Sequence, residues 1–65
     1  MEEKIVLATK GEHALYLFRR DGQVEFVVAY SNGLVDIGDC VDSWIDGHYF
    51  YSVVDAVEYL EALRY

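Results

Sequence analysis

Residues 12–37 read EHALYLFRRDGQVEFVVAYSNGLVDI, and this stretch decides the fold. Two runs rich in β-branched and aromatic residues, 12–20 and 23–30, flank the dipeptide Asp21-Gly22. An Asp-Gly pair between two such runs is typical of a β-hairpin with a two-residue type I′ turn. The sequence therefore predicts two antiparallel strands joined at this dipeptide.

The turn also determines which residues of the two strands face each other. On one face it pairs Leu17 with Phe26 and Leu15 with Val28. We expect this apolar face to be the core face of the sheet. Asn32-Gly33 is a second signal of the same type, and it predicts a third strand over 34–37 with Val28 opposite Ile37.

The flanking segments extend this meander. An additional strand is predicted over 4–9, before the turn at Lys10-Gly11. Residues 41–51 are compatible with a short hairpin about Asp46-Gly47, or with a loop that packs Trp44 on the core.

The last segment has the pattern of a helix. Ser52 is a good N-cap, and a predicted helix over 53–64 follows it without a breaker. Apolar residues at helical spacing would lie on the sheet: Val53, Ala56, Val57, Leu60 and Leu63. The predicted fold is a single α+β domain over 1–65, a small antiparallel β-meander of three to five strands with the C-terminal α-helix on one face.

The face of the meander away from the helix is also apolar. It carries Tyr16, Phe18, Val27 and Ala29, with charged residues around them. Such a patch is typical of a partner-binding or homodimer interface. The alternative is that residues 39–51 fold back and cover it.

Charge is distributed unevenly along the chain. The formal net charge is −7, yet residues 1–20 hold three acids and four bases, whereas residues 21–65 hold nine acids and one base, Arg64. This field repels phosphates and attracts basic protein surfaces, so direct binding to nucleic acid or to a membrane is not expected. The other explanation is solubility, because 54% of the residues are hydrophobic.

The candidate partner-binding surface is a set of seven acids. Four lie between residues 36 and 46 and three on the predicted helix: Asp36, Asp39, Asp42, Asp46, Asp55, Glu58 and Glu61. Helical residues three apart bring their side chains within about 5–6 Å, so a row of carboxylates could imitate successive backbone phosphates. In size, charge and lack of a catalytic motif the chain resembles small virus-encoded inhibitors, including anti-CRISPR and anti-restriction proteins and uracil-DNA glycosylase inhibitors. This resemblance is one of class, and it rests on no residue motif.

Catalytic and metal-binding patterns are weak. The spacing of the acids and His48 fits neither a calcium loop nor a zinc motif. Cys40 is expected to be a small buried hydrophobe, as a lone cysteine most often is. A catalytic pair of Cys40 with His48 or His13 is not expected, because no third group would orient the histidine. No cofactor is expected. The absence of cysteine pairs and of a leader-like segment favours a cytoplasmic setting.

The sequence thus predicts a non-enzymatic acidic module that forms a homodimer and binds a basic protein, with inhibition by nucleic-acid mimicry as the more specific hypothesis. The alternative is a self-associating structural or regulatory homodimer whose acidity serves solubility only.

Overall fold

A computed structural model describes residues 2–43 and 45–64 as an antiparallel sheet covered by one helix. Its elements are β1 (Glu2–Lys10), β2 (His13–Arg20), β3 (Gln23–Tyr30), β4 (Gly47–Phe50) and α1 (Val53–Ala62). The strands lie in the order β1-β2-β3-β4. The predicted α+β class, with a C-terminal helix on a small meander, is confirmed.

The central hairpin has the predicted register. Leu15 faces Val28 and Leu17 faces Phe26 across β2 and β3. The turn residue Asp21 has a φ of 50° and Gly22 a φ of 79°, which is the left-handed backbone that a type I′ turn requires. Local turn chemistry therefore determines this pairing.

The predicted third strand over 34–37 is wrong. Asn32 and Gly33 do form a left-handed turn, with φ of 57° and 69°, but the chain then leaves the sheet. Leu34 and Ile37 are 80% and 68% exposed. Their expected place beside β3 is occupied by β4, which comes from later in the chain.

The alternative of a short hairpin within 41–51 is also wrong. Gly47 begins β4, which pairs with β3, and residues 41–43 and 45–46 are not in a strand. The other alternative placed Trp44 on the core, and this residue lies outside the described residues. The neighbouring residue Ile45 is buried against the sheet and is 6% exposed.

Residues 31–43 and 45–46, here called the connection, run from β3 to the outer edge of β1 and back to β4. At the β1 edge, Val6 N–H donates to the Asp39 carbonyl at 2.9 Å, and Gly38 N–H donates to the Val6 carbonyl at 2.8 Å. An isolated antiparallel bridge joins Ile5 to Cys40. The connection thus closes one edge of the sheet before it returns to form the strand at the opposite edge.

The sheet has a core on each face. On the near face, Ala56 and Leu60 of α1 pack against Leu15 and Val28. Ser52 is the N-cap of α1, as predicted, although its side chain makes no capping hydrogen bond. On the far face, the connection packs on the sheet in a cluster of buried residues: Val6, Ala14, Tyr16, Val27, Ala29 and Ile45.

Candidate functional site

The residues predicted to form a partner or dimer face are mostly covered by the chain itself. Tyr16, Val27 and Ala29 are 4%, 0% and 4% exposed, because Ile45 and other apolar residues of the connection lie on them. Phe18 is half-buried at the margin of the same cluster. The structure therefore agrees with the alternative that a later segment folds back over this face. The expectation of an exposed apolar patch formed by Tyr16, Phe18, Val27 and Ala29 is wrong, because most of these residues are buried.

The uncovered end of the far face is a shallow, mixed surface. A concavity of about 230 Å³ is lined by Phe18, Arg20, Gln23, Glu25 and Tyr49. The Arg20 guanidinium lies 5.6 Å from the centre of the Phe18 ring, within the range of a cation–π contact. This end of the sheet therefore combines aromatic rings with one base and one acid, Arg20 and Glu25.

Basic side chains of β1 and β2 are held by acids of β1 or by backbone carbonyls. Arg19 pairs with Glu3, and Arg20 pairs with Glu2. The Lys4 ammonium donates to the Ser43 carbonyl at 3.0 Å. These bases are therefore engaged by partners other than the seven candidate acids.

The seven acids predicted as the partner-binding surface are all exposed. Within residues 2–43 and 45–64, none of the seven carboxylates forms an ion pair with Lys or Arg. Solvent ions screen the field of such unpaired, exposed charges over about 8–10 Å at moderate salt.

The fold divides these acids instead of joining them into one row. Asp36, Asp39 and Asp42 lie in the part of the connection that meets the outer edge of β1. Asp46 lies where the connection enters β4, at the opposite edge. The helical acids Asp55, Glu58 and Glu61 lie on the near face, because α1 and the connection pack on opposite faces of the sheet.

Asp39 has a structural role in addition to its charge. Its Oδ2 accepts the Asp36 N–H at 2.8 Å, and its own N–H donates to the Asp36 carbonyl at 3.0 Å. Local hydrogen bonds of this kind, between an Asp side chain and a nearby backbone N–H, stabilise turns. The carboxylate of Asp39 therefore holds the turn that brings the connection to β1.

Within residues 2–43 and 45–64, the helix carries three of the seven acids at a spacing of three residues. Residues three apart on a helix have side chains about 5–6 Å apart, which applies to Asp55, Glu58 and Glu61 in succession. The Lys10 ammonium donates to the backbone carbonyl of Glu61, where it also opposes the negative end of the helix dipole. One cation therefore lies beside the Glu61 end of the row.

The fourth strand contains a feature that the sequence analysis missed. A Cβ atom added to Gly47 would lie 2.3 Å from the Val28 carbonyl oxygen and 2.8 Å from the Ala29 Cβ. Only glycine allows β4 to approach β3 this closely at that point. The signal was present in the sequence, since an isolated glycine before apolar alternation can mark a close backbone approach.

The cysteine and histidine that were considered as a catalytic pair, Cys40 and His48, lie at opposite edges of the sheet. Cys40 is exposed, and not buried as expected, because it lies in the connection at the β1 edge. His48 is in β4, so β1, β2 and β3 separate the two residues. Among the described residues no three His, Cys, Asp or Glu side chains are grouped to hold a metal ion. In residues 2–43 and 45–64 no helix has the length and apolar character needed to span a membrane.

The described chain is thus a four-stranded α+β protein with exposed, unpaired acids on both faces of its sheet. No known family model, curated protein or solved structure shows significant similarity to it.

Proposed function

We propose that this protein is a non-enzymatic binding module whose exposed carboxylates engage a basic surface of another protein. One observation carries the proposal: none of the seven acids of the connection and α1 is paired with Lys or Arg in the described residues, whereas Arg19 and Arg20 are paired with acids of β1. Acids kept unpaired in this way leave a negative field available to a partner.

The more specific part of the proposal is that the partner handles nucleic acid and that α1 occupies its phosphate-binding surface. The support is the row Asp55, Glu58 and Glu61, which is exposed on a helix that the sheet holds rigidly through Ala56 and Leu60. A preformed row of charges binds without the loss of freedom that a flexible acidic tail incurs.

Two double variants with equal net charge test which surface binds. Glu58→Lys with Glu61→Lys alters the helix, and Asp36→Lys with Asp42→Lys alters the connection. Each pair changes the formal net charge from −7 to −3. We expect the helix pair to weaken capture of the partner about tenfold or more, and the connection pair to weaken it much less.

The capture is performed from host lysate at low and at physiological salt, with double-stranded DNA added as a competitor. Release of the captured protein by DNA supports mimicry of nucleic acid. Equal weakening by both pairs indicates that net charge alone drives the association. Capture unchanged by either pair and by salt would contradict the proposal, because no carboxylate would then contribute to binding.

A further inference from the structure

The two edges of the sheet differ in whether their backbone groups are paired. The outer edge of β1 is closed by the connection, through backbone hydrogen bonds to Lys4 and Val6 and the bridge between Ile5 and Cys40. On the outer side of β4, no strand or backbone group within residues 2–43 and 45–64 pairs with it. An unpaired edge presents N–H and C=O groups at the spacing of another strand, so β4 is the edge at which this sheet can be extended.

The hydrogen-bond pattern of β3 shows which of its residues bond to β4. Ser31 N–H donates to the Glu12 carbonyl at 2.7 Å, which continues the ladder between β2 and β3. In an antiparallel ladder successive residues bond alternately to one neighbour and to the other. The odd-numbered residues of β3 therefore bond to β2, and the even-numbered residues Phe26 and Val28 bond to β4.

The same alternation identifies the free backbone groups of β4. Phe26 faces Phe50, and Val28 faces His48, so these two residues of β4 direct their N–H and C=O groups inward. Gly47 and Tyr49 then direct theirs outward. The open edge thus offers two donors and two acceptors at alternate positions of one short strand.

Acids lie on both sides of this edge. The Tyr59 ring of α1 lies 4.7 Å from the His48 ring and 5.4 Å from the Phe50 ring, measured between centroids, so this side of α1 is above β4. Asp55 is one helical turn before Tyr59 and lies on the same side of α1. Asp46 immediately precedes β4 and lines a concavity on the far face.

We propose that the outer edge of β4 receives an extended, basic segment of the partner protein as a fifth strand. The segment forms backbone hydrogen bonds with Gly47 and Tyr49, and its Lys or Arg side chains reach Asp46 on one face and Asp55 on the other. This inference rests on the proposed function and adds the mode of contact. A second copy of the chain is a poorer occupant, because it brings a further charge of −7 to the same edge.

Backbone N-methylation of Tyr49 tests the proposal without changing a side chain. The chain can be assembled from two synthetic segments joined at Cys40, its single cysteine. The methyl group removes the outward N–H of Tyr49 and blocks the approach of a strand, while the ladder to β3 remains. The matched control is N-methylation of Val53, the first residue of α1, which follows the extended Ser52 and has an N–H that the helix does not use.

The probe is a short peptide of alternating lysine and threonine, titrated into isotopically labelled protein. We expect the unmodified protein and the Val53-methylated control to bind it equally, and the Tyr49-methylated protein to bind about tenfold more weakly. The amide of Tyr49 should also exchange more slowly with solvent in the complex.

Equal binding by both methylated proteins would overturn the strand-addition mode while leaving the proposed function intact. Absence of salt-sensitive binding by the unmodified protein would also refute the strand-addition mode, whereas the capture experiment tests the proposed function separately. A dimer that sedimentation detects, and that methylation of Tyr49 dissociates, would assign the edge to a second copy and overturn the proposal as well.

Discussion

Replacement of Gly47 with alanine is expected to destabilise the protein, although the same exchange in most strands has the opposite effect. The added Cβ would lie 2.3 Å from the Val28 carbonyl oxygen and 2.8 Å from the Ala29 Cβ. The first of these contacts is with backbone, so no change of rotamer relieves it. β4 must therefore move away from β3, which weakens the ladder between them.

The expected cost follows from overpacking and from the small size of the protein. Inserting a methyl group into a packed site costs about 1–3 kcal/mol. At roughly 0.05–0.15 kcal/mol per residue, a chain of 65 residues has a free energy of unfolding of about 3–10 kcal/mol. A loss of about 2 kcal/mol lowers the melting temperature of such a domain by roughly 8–16 °C.

Urea and thermal unfolding, followed by circular dichroism, measure this loss. The control is Gly22→Ala, because a Cβ at Gly22 meets no atom within 4 Å and only its φ of +79° opposes the change. That strain costs about 1–2 kcal/mol and leaves β4 in place. Amide shifts should therefore concentrate in β4 and around Tyr59 only for Gly47→Ala. A Gly47→Ala protein as stable as the parent would refute the reasoning.

Two further changes test the connection and the far core. Asp39→Ala removes the carboxylate that accepts the Asp36 N–H, and it should lower the free energy of unfolding in urea by about 1 kcal/mol. Asp36→Ala should lower it little, and an equal loss for both variants would contradict this role for Asp39. Burial raises the pKa of Tyr16 above its ordinary value of 10.0, so the unfolded chain loses this proton first. The contribution of Tyr16 to stability is therefore constant below about pH 10 and falls as the pH rises further, and a Tyr16→Phe protein that shows the same alkaline fall would contradict it.

Part of the architecture follows from local rules. Asp21-Gly22 determines the register of β2 and β3, because a two-residue turn allows one pairing only. The helical spacing of Ala56 and Leu60 predicts which side of α1 packs on the sheet, and these two residues are buried there. The charge asymmetry is likewise a property of the sequence, and it needs no structure to be recognised.

The candidate acidic surface was only partly predictable. The exposure of Asp55, Glu58 and Glu61 follows from helical periodicity, since none of them shares the packed positions of Ala56 and Leu60. The position of Asp39 at the β1 edge could not be predicted from the sequence, because it depends on a backbone contact between residues far apart in the chain.

The tertiary structure alone decided which segment pairs with the free side of β3. Asn32-Gly33 forms the turn that its residue types favour, yet residues 34–37 do not return as a strand. Backbone hydrogen bonds are much the same for any segment, so the pairing depends on what the whole chain buries. With β4 beside β3, Val35 and Val41 become free to pack on the far face together with Ile45. This arrangement buries Tyr16 and Val27. It results from a competition between distant segments for the free side of β3, which no local sequence pattern predicts.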